Sequence, residues 1–107
     1  MISNLYDLKT WAQAAAKGAL LSDAMKKEHL AWVETGMKRF GYGLGICDIH
    51  GFIGHNGGIL GYASVMLYSP EKDATIVVWF NKCNDDGKGN PEIEIAGEII
   101  KTLFGDR

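Results

Sequence analysis

The chain is 107 residues long, 47% hydrophobic and 22% charged, enough for one domain around one core (1–107) and too little for two. Its formal net charge of −2 and pI near 5.8 exclude the basic surface on which a nucleic-acid partner depends. No run approaches the roughly 18 apolar residues of a membrane span, and Met1-Ile2-Ser3-Asn4-Leu5 shows no basic patch before an apolar stretch, so a cytoplasmic location without a secretory leader is expected.

Ser3 and Asn4 supply N-cap oxygens, with Asp7 three residues after Asn4 as in a capping box. Leu5, Leu8, Trp11, Ala12, Ala15 and Ala16 then recur at helical spacing, and Gly18 is placed as the stop. Ser22 opens a second helix with Asp23 in its first turn. Met25, His29 or Leu30, and Val33 form its apolar side, and Gly36 ends it. His29 is expected at the boundary of the surface.

From Tyr42 the apolar period becomes two. Residues 42–49 read as a strand with Leu44 and Ile46 on one face. His50-Gly51 makes a solvated turn, and 52–55 return as a second strand. Gly57-Gly58 and Gly61 punctuate the next connection, 62–68 form a third strand, and Ser69-Pro70-Glu71-Lys72-Asp73 is a turn. The run 74–80 is apolar almost throughout, which predicts a strand covered on both faces. Nine of the 14 glycines fall between Gly36 and Gly61, a concentration that marks either a flexible linker or a place where backbones meet closely.

Residues 81–90 are a polar loop whose acids do not fit a calcium-loop register. Asn90 then caps a last helix with Pro91 at its first position and Glu92 and Glu94 in its first turn. Its buried stripe is expected to be Ile93, Ala96, Gly97, Ile100, Leu103 and Phe104, with a close helix–sheet approach explaining Gly97. Trp11, Trp32 and Trp79 stand at apolar positions and are expected in the core. Cys47 and Cys83 read as reduced, partly buried thiols. Cys47 and His50 lie three apart on a strand and would face opposite ways, so no metal site is expected. The fold class is α+β, with two helices, an antiparallel meander of three to four strands, and a helix packed on the sheet.

Five stretches follow in a familiar order: Tyr42-Gly43-Leu44-Gly45-Ile46, Gly54-His55-Asn56-Gly57-Gly58, Gly61-Tyr62-Ala63-Ser64, and Ile76-Val77-Val78-Trp79-Phe80-Asn81, preceded by the Leu5 to Trp11 segment. Together they resemble the C-terminal part of the serine β-lactamase and penicillin-binding-protein superfamily. The similar branch holds class C β-lactamases, D-alanyl-D-alanine carboxypeptidases and esterases. The resemblance implies a partial β-lactamase-like fold that needs no cofactor. It also implies that His55, Asn56 and Gly57 stand where the family has its Lys/His-Thr/Ser-Gly wall, with Gly58 at an oxyanion-donor position. Asn56 departs from the hydroxyl usual there.

The family's other catalytic elements have no match. No Tyr-x-Asn or Ser-x-Asn occurs. The one Ser-x-x-Lys, Ser69 to Lys72, contains Pro70 and falls between strands, whereas the family's nucleophile opens a helix. The expected function is therefore a non-catalytic β-lactamase-like fragment that binds a ligand or partner through its glycine-rich groove. One alternative is half of a split serine hydrolase, completed by another polypeptide. Another is a purely structural oligomer. Uncovered strand edges lead to the expectation of a homo-oligomer.

Overall fold

A computed structural model describes residues 2–82 and 89–105 of the chain. Cys83 and the acidic part of its loop lie outside the described residues. The elements run α1 (Leu5–Lys17), α2 (Asp23–His29), β1 (Val33–Glu34), β2 (Phe40–Tyr42), β3 (Cys47–Ile49), β4 (Phe52–Ile59), β5 (Tyr62–Ser69), β6 (Ala74–Phe80) and α3 (Pro91–Phe104). The α+β class holds. Its strands form one six-stranded antiparallel meander, two strands wider than expected, in the order β1-β2-β3-β4-β5-β6.

Local chemistry sets the helix ends. The Asn4 side chain accepts the Asp7 backbone N–H at 2.8 Å and donates back to the Asp7 carboxylate at 3.1 Å. Gly18 closes α1, its N–H reaching the carbonyls of Ala14 and Ala15. Ser22 caps α2 by accepting from Met25 N. At α3 the Asn90 side chain makes no capping bond. Its backbone carbonyl accepts from Ile93 and Glu94 instead.

Three expectations are corrected between Asp23 and Ile59. The second helix stops at His29 and does not run to Gly36, because Val33 and Glu34 pair with Tyr42 and Gly41 as β1. The strand expected over 42–49 is two strands. Gly43 N donates to Ile46 O at 2.7 Å across a tight turn, Gly45 takes φ +69, and the turn leaves Leu44 exposed and Ile46 buried. The strand expected to end at His55 continues as β4 through Gly57 and Gly58 to Ile59, so these glycines lie within the ladder and not in a connection.

Alternation along β4, β5 and β6 sends successive side chains to opposite faces. One face, with Phe52, Val65, Leu67 and Ile76, packs under Ala96 and Ile100 of α3, and Phe104 closes on Phe52 with ring centroids 5.4 Å apart. The other face carries Ile53, Met66 and Tyr68 against Ala12 and Ala16 of α1. Gln13 donates to Thr75 across this layer at 3.2 Å. The sheet is therefore covered on both sides, as the apolar run of β6 predicts.

The tryptophans are not core residues. Trp11, Trp32 and Trp79 keep 46%, 37% and 40% of their surface exposed. Trp32 lies over Gly41 and Gly43, where the absence of side chains makes a shelf for the ring. Leu103 likewise faces outward. Gly97 is not a point of close approach either, since a Cβ built there meets nothing within 4 Å. Gly97→Ala is therefore expected to stabilise the protein by about 1 kcal/mol through helix propensity alone. A urea titration of the two proteins checks this.

Candidate functional site

β3 is short, and its ladder with β4 ends at the Cys47–Gly54 pair. Beyond that point β4 pairs with β5 only, so among the described residues no strand occupies its other edge over 55–59. An open strand edge offers backbone donors and acceptors to any extended chain laid beside it. Gly57 and Gly58, both exposed, leave that stretch without side chains.

His55 stands at the entrance to this edge, facing the α1 side. Its Nδ1 lies against the Asn56 carbonyl oxygen, which only accepts, so Nδ1 carries the proton. In the neutral ring Nε2 is then the acceptor, and the Tyr42 hydroxyl donates to it at 2.7 Å. The two rings meet edge-on, with centroids 5.6 Å apart and planes at 81°. Tyr42 is brought here from β2 by the β2–β3 turn. With both protons committed in this way, the pair offers a ligand the Tyr42 oxygen as an acceptor, suited to a ligand N–H.

Asn56 points the other way. Its Nδ2 donates to Glu92 Oε1 at 2.8 Å, on the α3 face of the sheet, and Glu92 is only 3% exposed. The structure thus separates the side chains of His55 and Asn56 onto opposite faces of β4. The carboxylate that Asn56 meets is the protein's own, on the first turn of α3, where the helix dipole favours negative charge. Sequence reading missed both Tyr42 and Glu92 as partners. Glu92 gave no local signal, because its partner lies 36 residues away.

Gly54 fixes the strand just before His55. A Cβ there would run into the Met66 backbone carbonyl, so β4 and β5 meet at this point with no room for a side chain.

Cys47 is a free, buried cysteine. Burial, with a smaller contribution from the neighbouring Asp48 charge, pushes its thiol up from 9.0 to about 11. At neutral pH it is an inert neutral thiol and not a nucleophile. Ser69 and Lys72 form the expected hairpin turn. Ser69 is 2% exposed and its Oγ accepts Lys72 N at 3.2 Å, while the Lys72 ammonium sits 5.6 Å from the Phe104 ring centroid. The amine is thus committed to the α3 face, away from His55. In the same turn the Tyr68 hydroxyl donates to Asp73 at 2.7 Å, a bond that raises the tyrosine's pKa, with burial adding to it. Among the described residues no three His, Cys, Asp or Glu side chains gather as metal ligands, and no helix is long and apolar enough to cross a membrane.

Comparison with known proteins bears on this geometry. A family model described as Beta-lactamase matches residues 1–98. Among solved structures the chain is similar to a D-stereospecific amidohydrolase from Streptomyces sp., at 26% sequence identity and a TM-score of 0.70. That match covers 98% of this chain and 31% of the amidohydrolase, so the chain spans about a third of its length. No curated protein matches.

Proposed function

The chain belongs to the beta-lactamase family, and on that premise we propose that residues 55–58 form a ligand-binding wall that holds an acyl or peptide group along the open edge of β4. The observation that carries this reading is the bare edge itself. Over 55–59 the strand has, among the described residues, no neighbour on the side away from β5, Gly57 and Gly58 carry no side chain, and His55 is held ready at its start by Tyr42 and the Asn56 carbonyl. In this reading Gly58 N–H donates to the ligand's carbonyl oxygen, and His55 with Tyr42 meets its polar end. The chain does not turn the ligand over by itself in this reading, because its one Ser-x-x-Lys is a hairpin turn whose serine is buried and whose lysine lies over Phe104, away from His55.

Titration with N-acetyl-D-alanyl-D-alanine, followed by amide chemical shifts, tests the reading. Shifts centred on Gly57 and Gly58 are expected; their absence, or shifts confined to another region, overturns it. A second copy pairing edge to edge would compete for the same positions, and light scattering during the titration separates the two. A fluorescent penicillin should leave the chain unlabelled; acylation of a serine in this chain alone would show that it is a complete hydrolase.

A second reading has its own support. Large apolar side chains, among them Trp11, Leu20, Ile95 and Leu103, lie exposed, and the chain matches only 31% of the amidohydrolase. In this reading a further polypeptide covers those faces and supplies the serine and lysine to the groove. Penicillin labelling that appears only after mixing with a polypeptide carrying the rest of the family fold is its expected result.

A further inference from the structure

On the same face of the sheet as the His55 ring lies a partly open cavity of about 460 Å³, lined by α1, Met25, Glu28 and His29 of α2, the β2–β3 turn, β4 and Met66 of β5. Ala14, Ala15 and Gly18 of α1 and Gly45 and Gly54 of the sheet side are among its lining, beside larger residues such as Leu21, Met25 and Ile46. Its walls are largely apolar, with Met66 at the sheet and Trp11 and Leu44 at the rim, and its polar members are Glu28, His29 and His55. Both rim residues are exposed, at 46% and 68%. Among the described residues no lysine or arginine lines it, and Glu28 is the one acid that does. His55 belongs to this lining and to the open edge of β4, so cavity and edge are continuous.

We infer that this cavity is the specificity pocket of the groove, and that it selects ligands whose acyl or side-chain group is uncharged and of aromatic or branched aliphatic size. This rests on the groove reading above. Volume supports the assignment, since a dry cavity of about 150 Å³ already holds a benzene ring, leaving room here for a ring and its linking atoms. Charge supports it too. Glu28 in the lining disfavours an anionic group in the pocket. A ligand carboxylate is left to the backbone N–H groups along the open edge, while the apolar group covers Trp11 and Leu44. The wall thus sets where the ligand lies, and the cavity sets which ligand stays.

Two probes differing only in their acyl group test this: N-acetyl-D-alanyl-D-alanine and its N-phenylpropanoyl counterpart. Burying the ring should make the second bind at least about tenfold more tightly. Ala15→Leu, which fills the cavity from α1, should abolish that preference and leave the acetyl probe's affinity unchanged. Leu44→Ser, in an exposed turn and harmless to the core, should weaken the preference in the same direction, and it serves if Ala15→Leu folds poorly. Equal binding of the two probes, or a preference that survives both substitutions, overturns the pocket and leaves the groove standing. If neither probe binds, both readings fall.

Discussion

Gly54→Ala is expected to be severely destabilising, by about 3 kcal/mol, the upper end of what overpacking costs. A change of that size lowers Tm by roughly 10 to 20 °C in a domain of this length. The added methyl has nowhere to go, because it would meet the Met66 carbonyl, a backbone group that cannot swing aside as a side chain would. Relief requires β4 and β5 to separate, and Val65 and Leu67 of β5 are fully buried in the main core. Gly57→Ala provides the contrast. Its Cβ meets only Ser64 Oγ, at 3.3 Å, and Gly57 is exposed, so its cost should be small. Thermal unfolding of the two variants side by side measures the difference; equal Tm values would show that β4 and β5 are not so closely apposed.

Asn56→Leu is expected to cost about 3 kcal/mol, because it leaves the buried Glu92 carboxylate without its hydrogen-bond donor. The double substitution Asn56→Leu, Glu92→Leu should recover most of that loss, since removing both partners removes the unmet polar group as well. The coupling between the sites, read from urea unfolding of the four proteins, is expected to be large and favourable to the native pair. Additive effects would mean that Asn56 does not engage Glu92 in solution and is free to turn toward a ligand. The outcome therefore decides whether this position has exchanged a groove-facing role for one that fastens the strand to the helix behind it.

The parts of the fold legible in the sequence are those with a local cause. Asn4 with Asp7, Ser22, Gly18 and Pro91 mark helix ends, and the long apolar runs of β5 and β6 announce themselves within a residue of their bounds. The stretch 33–49 was misread because its strands are two or three residues long and give no period to detect, while alternating glycines imitate one longer strand. The tryptophans misled for a related reason. A large apolar ring suggests a core, but Trp32 finds its contact on the bare backbone of Gly41 and Gly43 and keeps one side in solvent. At the site, the motif residues were visible as a string, but their facing was not. Asn56 and His55 diverge simply because neighbours on a strand must, and the partners they reach, Glu92 and Tyr42, come from elements whose placement depends on the whole sheet.

The shortness of β3 has a further consequence for how such a site changes over time. The length of bare strand available to a ligand is set by where the β2–β3 hairpin stops, at Cys47, and not by the residues that line the strand. Each pair of residues added to that hairpin would cover more of β4, and each pair removed would uncover more. The hairpin is thus a ruler for the groove, adjustable by insertion or deletion at the 43–46 turn while the residues at 55–58 stay as they are.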